Sequence, residues 1–185
     1  MRVLLLLLCG LALCACTSSP APPRFFRPPH QIPAAAALTS RTLALSPTAS
    51  GQQLGERIMW RRSDVEVGFY DQERWTQPPA RFVDQALSDA LFVAGGLRRV
   101  ERAGLALSVE LVAFEEVLLP NHLARVELRA LLVDGEGAAL LERSVAAARP
   151  VSEHEAEAMV RALGEALDAA IQELADAILA IAARG

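Results

Sequence analysis

Hydrophobic and polar positions alternate most strictly between residues 105 and 148. Leu105, Leu107, Val109, Leu111 and Ala113 alternate with Ala106, Ser108 and Glu110, and the run continues to Leu119. Pro120-Asn121 breaks it. Ala124, Val126, Leu128, Ala130 and Leu132 then alternate with Arg125, Glu127 and Arg129. A period of two with one apolar face describes a strand buried on one side only. Asp134-Gly135-Glu136-Gly137 carries a hairpin turn signal, and a third strand follows from Ala138 to about Ala148. The pattern predicts a three-stranded antiparallel meander, wet on one face, with Val109, Leu111 and Leu128 in the core.

The period changes to that of a helix on both sides of this block. Val83, Ala86, Leu87, Ala90, Leu91 and Ala94 form a stripe that opens after Pro78-Pro79 and stops at Gly95-Gly96. Ser152 and Glu155 have the spacing of a capping box. Beyond them an apolar stripe runs through Met159, Val160, Leu163, Leu167, Ala170, Ile171, Leu174 and Ile178 to Ile181. A helix from Glu153 to Ala183 is roughly 46 Å long, whereas a five- or six-residue strand spans only about 17–20 Å. The predicted helix is long enough for part of it to overhang the sheet, which makes Leu174 and Ile178 candidates for an interface with a second copy of the chain. A long helix covering its own sheet, with its alanine-rich stripe closely packed there, is the preferred reading. Shorter strands are predicted at Thr42–Leu45, Ile58–Arg62 and Val65–Tyr70. The expectation is one α+β domain, a mostly antiparallel sheet with two amphipathic helices packed on one face.

The front of the chain follows neither period. After Met1-Arg2 an uncharged run extends from Val3 to Ala15, shorter than the roughly 20 residues that span a hydrocarbon core. It has the form of a secretory signal. Leu13-Cys14-Ala15-Cys16 resembles the box of bacterial lipoproteins, in which the cysteine becomes the first mature residue and is thioether-linked to diacylglycerol. Cys16 is the candidate attachment point, because a cut before Cys14 would place bulky Leu13 at the cleavage position. All three cysteines lie in the first sixteen residues, so no disulfide is available downstream. Six of eleven prolines fall between Thr17 and Ala37, which predicts an extended tether reaching up to about 65 Å. The expected organisation is a signal peptide over 1–15, an acylated cysteine and tether over 16–37, and a folded domain over 38–185. Thr17, rather than an aspartate, follows the cysteine, which points to the outer membrane, with the domain facing the periplasm.

Charge and chemistry narrow the function. The chain has 18 basic residues, every one an arginine, against 22 acidic ones, for a net charge of −4. An acidic chain without basic clusters argues against nucleic acid. His30, His122 and His154 are far apart in sequence, and the neighbours Glu115 and Glu116 should point to opposite faces of their strand. No nucleophile elbow, phosphate loop or metal-ligand spacing occurs, so no catalytic residue, metal or cofactor is assigned.

The stretch Tyr70-Asp71-Gln72-Glu73-Arg74-Trp75-Thr76-Gln77-Pro78-Pro79, the helix after it, Gly95-Gly96-Leu97-Arg98-Arg99-Val100, the meander and the last helix resemble the ABC-type transport auxiliary lipoproteins, the PqiC-like family. The resemblance implies a non-catalytic lipoprotein that accompanies an inner-membrane ABC transporter and its MCE-domain protein in lipid transport between membranes. An assembly or pilot lipoprotein of another envelope machine is the alternative, and an anchored hydrolase a third class. Arg74 and Trp75 are candidates for docking such a partner, although a buried tryptophan beside a chain reversal is the plainer structural reading. If Cys16 carries the lipid, Cys16→Ser should release the protein from membrane fractions or stall its processing, while Cys14→Ser should not. Equal retention of the two variants would remove the assignment.

Overall fold

The structure, a computed structural model, describes residues 21–152 and 155–184. In chain order the elements are β1 (Arg24–Phe26), β2 (Thr42–Leu45), β3 (Ala49–Ser50), β4 (Arg57–Arg61), β5 (Val67–Trp75), α1 (Pro79–Ser88), β6 (Arg98–Arg99), β7 (Leu105–Val117), β8 (Leu123–Asp134), β9 (Ala139–Pro150) and α2 (Ala156–Ala182). Cys16 and the signal segment lie outside the described residues.

The expected meander is the main body of the sheet. β7 pairs antiparallel with β8, and β8 with β9, along almost their whole lengths. Asp134 accepts hydrogen bonds from the backbone N–H groups of Glu136 and Ala138, each at 2.9 Å, which closes the predicted hairpin turn. The other edge of β7 is covered differently. β2, β3 and β4 line up along it in succession, all parallel to it, and β4 carries the antiparallel β5 outward. β1 then adds in parallel to β5. The sheet is mixed, although its three longest pairings are antiparallel.

Both helices cover one face. Val109, Leu111, Leu128 and Leu167 are buried there, as the alternation predicts. α1 begins with Pro79 in its first turn, a position where a missing N–H costs nothing. Its continuation, residues 89–94, widens into a π turn in which Gly95 N–H reaches the Ala90 carbonyl. The second helix requires two corrections. Its N-cap is Glu155, with extended backbone and no side-chain capping bond, so Ser152 and Glu155 do not form a capping box. The chain after β9 is still extended there, with Val151 N–H bonded to the His122 carbonyl. The helix also does not overhang the sheet. Its 27 residues run about 40 Å, and the 12- and 13-residue strands beneath it run about as far. Leu174 and Ile178 are 0 % exposed on the chain's own sheet and are not available to a second copy.

The proline-rich segment is the largest departure. Instead of leaving the domain as a tether to residue 37, the chain from Arg24 to Thr39 lies along the helices as a strap. Arg24 pairs with Glu157, Arg27 donates to Gln85 at 3.1 Å, and Pro28 is buried. Farther on, Ala36 N–H bonds the Val93 carbonyl and Thr39 N–H the Gly96 carbonyl. Two glycines make room for it. A Cβ on Gly164, in α2, would stand 2.5 Å from the Pro29 carbonyl oxygen, and one on Gly96 (φ +65°) would stand 2.3 Å from that of Ala37. Gly96 thus ends the first helix and seats the strap as well.

The close approach at Gly164 gives a direct test. Gly164→Val must push Pro29 off α2 or distort the helix. It should cost about 1–3 kcal/mol in denaturant unfolding and speed proteolytic cleavage between residues 24 and 39. Unchanged stability and protection would mean that the strap is not held there.

Candidate functional site

Four strand ends meet at one end of the sheet: the end of β4, the start of β5, the end of β7 and the start of β8. A bulge in β7 decides what faces where. Leu111 pairs with Leu128, but Ala113 pairs with Glu127, so Val112 is extra. Before the bulge the odd residues of β7 face the helices; after it the even ones do. Phe114 therefore points inward, in edge contact with Trp75 at 5.4 Å and beside Phe82 of α1. Glu116 follows on the inner face and Glu115 on the outer. Both are buried, Glu115 to 0 % exposure.

A buried carboxylate is tolerated only with partners. Outside, Glu115 Oε1 accepts from Arg61 Nε at 2.8 Å and from Arg125 Nη1 at 3.2 Å, while its Oε2 has no hydrogen-bond partner among the described residues. Arg125 also pairs with Glu127 on its own strand. The Glu115 hydrogen bond holds the Arg61 guanidinium above its ordinary range, against the opposing effect of burial. Inside, Glu116 accepts from the Tyr70 hydroxyl and contacts His122 Nε2. Burial first, and the Glu116 carboxylate second, push the Tyr70 hydroxyl well above the usual tyrosine range. These carboxylates join β4, β5, β7 and the start of β8 into one unit. Among the described residues no group of His, Cys, Asp and Glu is arranged to hold a metal ion.

The residues singled out for docking take structural positions. Trp75 is 1 % exposed and packs edge-on against Phe82 and Phe114, so it presents no surface to a partner. Arg74 turns its guanidinium back onto its own strand. It donates to the Tyr70 and Glu73 carbonyls at 3.0 and 2.8 Å and to the Asp71 carbonyl at 2.9 Å. That fork holds a register shift, because β4 pairs Arg61 with Val67 but Arg57 with Arg74. Spacing in sequence could not place Glu115 and Glu116 in this cluster, since the partners Arg61, Tyr70 and His122 come from separate elements.

A second polar bridge was also hidden. His30 contacts Asp168 of α2 through Nδ1 at 2.7 Å and Asp89, at the end of α1, through Nε2 at 3.2 Å. Beneath this bridge is a shallow groove of about 380 Å³, with Ala90, Ile171 and Leu179 among its lining residues. At the far end of the sheet a wider groove of about 640 Å³ opens beside Leu105, Leu140 and Ile181. No helix among the described residues is long and apolar enough to cross a membrane.

Comparison with known proteins places this geometry. The family model described as "ABC-type transport auxiliary lipoprotein component" matches residues 28–177. It includes Pro28 and the latter part of the strap. The solved structure of a DUF330-family protein from Xanthomonas campestris is 22 % identical, with a TM-score of 0.77 over 87 % of this chain and 97 % of that one. A hypothetical protein from Chlamydia trachomatis is 7 % identical, with a TM-score of 0.60 over 80 % of this chain and 100 % of that one. At these identities the likeness is one of fold. No significant match occurs among curated proteins.

Tyr70 is the chain's only tyrosine, so tyrosinate absorbance reports it alone. The unfolded chain should ionise near 10.0 and the folded protein only well above that. The stabilisation from this difference is complete below the unfolded value and is lost as pH rises from there toward the folded value. Tyr70→Phe should remove that alkaline loss. Folded and unfolded protein titrating together would disprove the buried pairing.

Proposed function

Because this chain belongs to the family of ABC-type transport auxiliary lipoprotein components, we propose that it is a lipid-anchored, non-catalytic accessory of an intermembrane lipid transport system. The match over residues 28–177 carries this reading. Cys16 is the attachment point, and the domain faces the periplasm from the outer membrane. Its partners are the MCE-domain protein and the inner-membrane ABC components of the system. The disposition of polar groups supports an accessory role. The buried carboxylates at the sheet end are engaged by arginines, a tyrosine and a histidine of the same domain, in an arrangement that joins strands.

The strap changes how such an accessory reaches its partners. Only the residues ahead of Arg24 are left to separate the folded domain from its anchor. The domain is therefore held close to its own membrane, and contact with inner-membrane components requires a partner that bridges the distance.

The deciding experiment is affinity purification of the full-length protein, tagged at its C-terminus, from solubilised envelopes. The expected companions are an ABC permease, its ATPase and an MCE-domain protein. Consistent recovery of a secretion or pilus assembly in their place would overturn the reading.

A further inference from the structure

The path of the strap fixes the direction from which the chain enters the domain. Arg24 meets Glu157 in the first turn of α2, Pro29 meets Gly164, and His30 meets Asp168. The strap therefore climbs α2 from its N-terminal end. β1 says the same independently, since it runs parallel to β5 with Arg24 opposite Glu73. Traced backward from Arg24, the chain heads toward the start of β5. That is the end of the sheet where the 62–66 turn joins β4 to β5 and the 118–122 loop joins β7 to β8. The second loop is tied to the end of β4, with Leu118 N–H bonded to the Arg61 carbonyl at 2.8 Å.

These loops have unusual surface chemistry. Turn positions favour glycine, asparagine and aspartate, yet Val65 stands in the 62–66 turn 95 % exposed, and Leu119 in the other loop is 56 % exposed. The first turn is well braced. Ser63 Oγ accepts from the N–H groups of Val65 and Glu66, and Arg61 Nη1 reaches the carbonyls of Ser63 and Asp64 at 3.5 and 3.4 Å. Arg62 pairs with Glu66 and lies over the Trp60 ring at 5.6 Å, an apolar body with a polar rim of the kind that suits a bilayer interface. Arg61 and Arg62 are thus matched by carboxylates beside the apolar residues.

Chain length then decides which end can face the anchor. Cys16 precedes Arg24 by eight residues, a reach of at most about 28 Å. From the level of Arg24 and Arg57 to that of Val67 is four residues of β4, about 13 Å. The opposite end, at Leu105, is about 27 Å from the same level, with the β8–β9 turn projecting beyond it. Eight residues reach a membrane at the near end with length to spare. Reaching one at the far end would take a fully extended chain doubled back along the sheet.

We propose that the sheet end bearing Val65 and Leu119 rests on the bilayer that holds the Cys16 lipid, with both side chains in its headgroup region. This rests on the reading of Cys16 as the anchor, and the two can be tested apart. After removal of residues 1–15 the only cysteine is Cys16, capped by lipid, so Val65→Cys, Leu119→Cys or Glu136→Cys each offers a single thiol for an environment-sensitive fluorophore. The acylated full-length protein is reconstituted into vesicles of phosphatidylethanolamine, phosphatidylglycerol and dibrominated phosphatidylcholine, and flotation is compared with that of Cys16→Ser. The expected result is flotation that depends on Cys16, with probes at 65 and 119 blue-shifted and quenched several-fold more than the probe at 136, at the far end. Flotation with unquenched probes at 65 and 119, or equal quenching at 136, would overturn the orientation and leave the anchor standing. Equal behaviour of wild type and Cys16→Ser would remove the anchor, and the orientation with it. Shielding of the probes only after envelope proteins are added would assign the surface to a protein partner and overturn the proposal.

Discussion

The extra residue at Val112 governs how the rest of the sheet end is built. A strand without it would keep Ala113 and Glu115 on the helix side and turn Phe114 and Glu116 outward. With it, Phe114 enters the core, where Trp75 and Phe82 close around its ring. Glu116 follows it inward to Tyr70, and Glu115 turns outward to Arg61 and Arg125. β8 has no matching bulge, and its even residues stay buried from Ala124 to Leu132. One residue of slip therefore lets a single strand bury aliphatic side chains along one half and opposite faces of two carboxylates along the other.

The helix layer depends on the strap in a comparable way. α1 and α2 both present small residues toward the crossing chain, and Ala90 and Ala94 are only partly buried beneath it. The π turn after Ser88 sets Asp89 beside His30, which also holds Asp168. One imidazole thus joins a loop segment to both helices. Aromatic packing of Trp75 on Phe82 fixes the start of α1, and the strap fixes its end.

The meander, both helices and the central core were legible in the sequence because each rests on a long, regular period. Twelve- and thirteen-residue strands leave little doubt about which residues share a face. What escaped has specific causes. Proline density reads the same whether a polyproline-like segment is free or docked, and the seats at Gly96 and Gly164 look like an ordinary helix stop and an ordinary helical glycine. The bulge was masked by Ala113, small enough to continue the apolar alternation on paper. The supposed overhang of α2 assumed strands of average length, so Leu174 and Ile178 looked uncovered. Arg74 and Trp75 drew notice as a pair, but their side chains serve a register shift and the core respectively, which composition does not distinguish. The candidate site was the least legible part, since its partners come from strands separated by up to 64 positions, from Arg61 to Arg125.

The strap also sets an order of events in time. Its partners Glu157 and Asp168 lie 133 and 138 residues downstream of Arg24 and His30. A chain emerging from its N-terminus cannot complete the strap's contacts until α2 has followed. Closing so long a loop also has an entropic cost that only an assembled sheet and helix pair can offset. Throughout that interval the strap can meet only β5 and the first helix, and its contacts on α2 are still missing. The strap is therefore held in two stages, first along the edge strand and the first helix, and last along α2, which locks it.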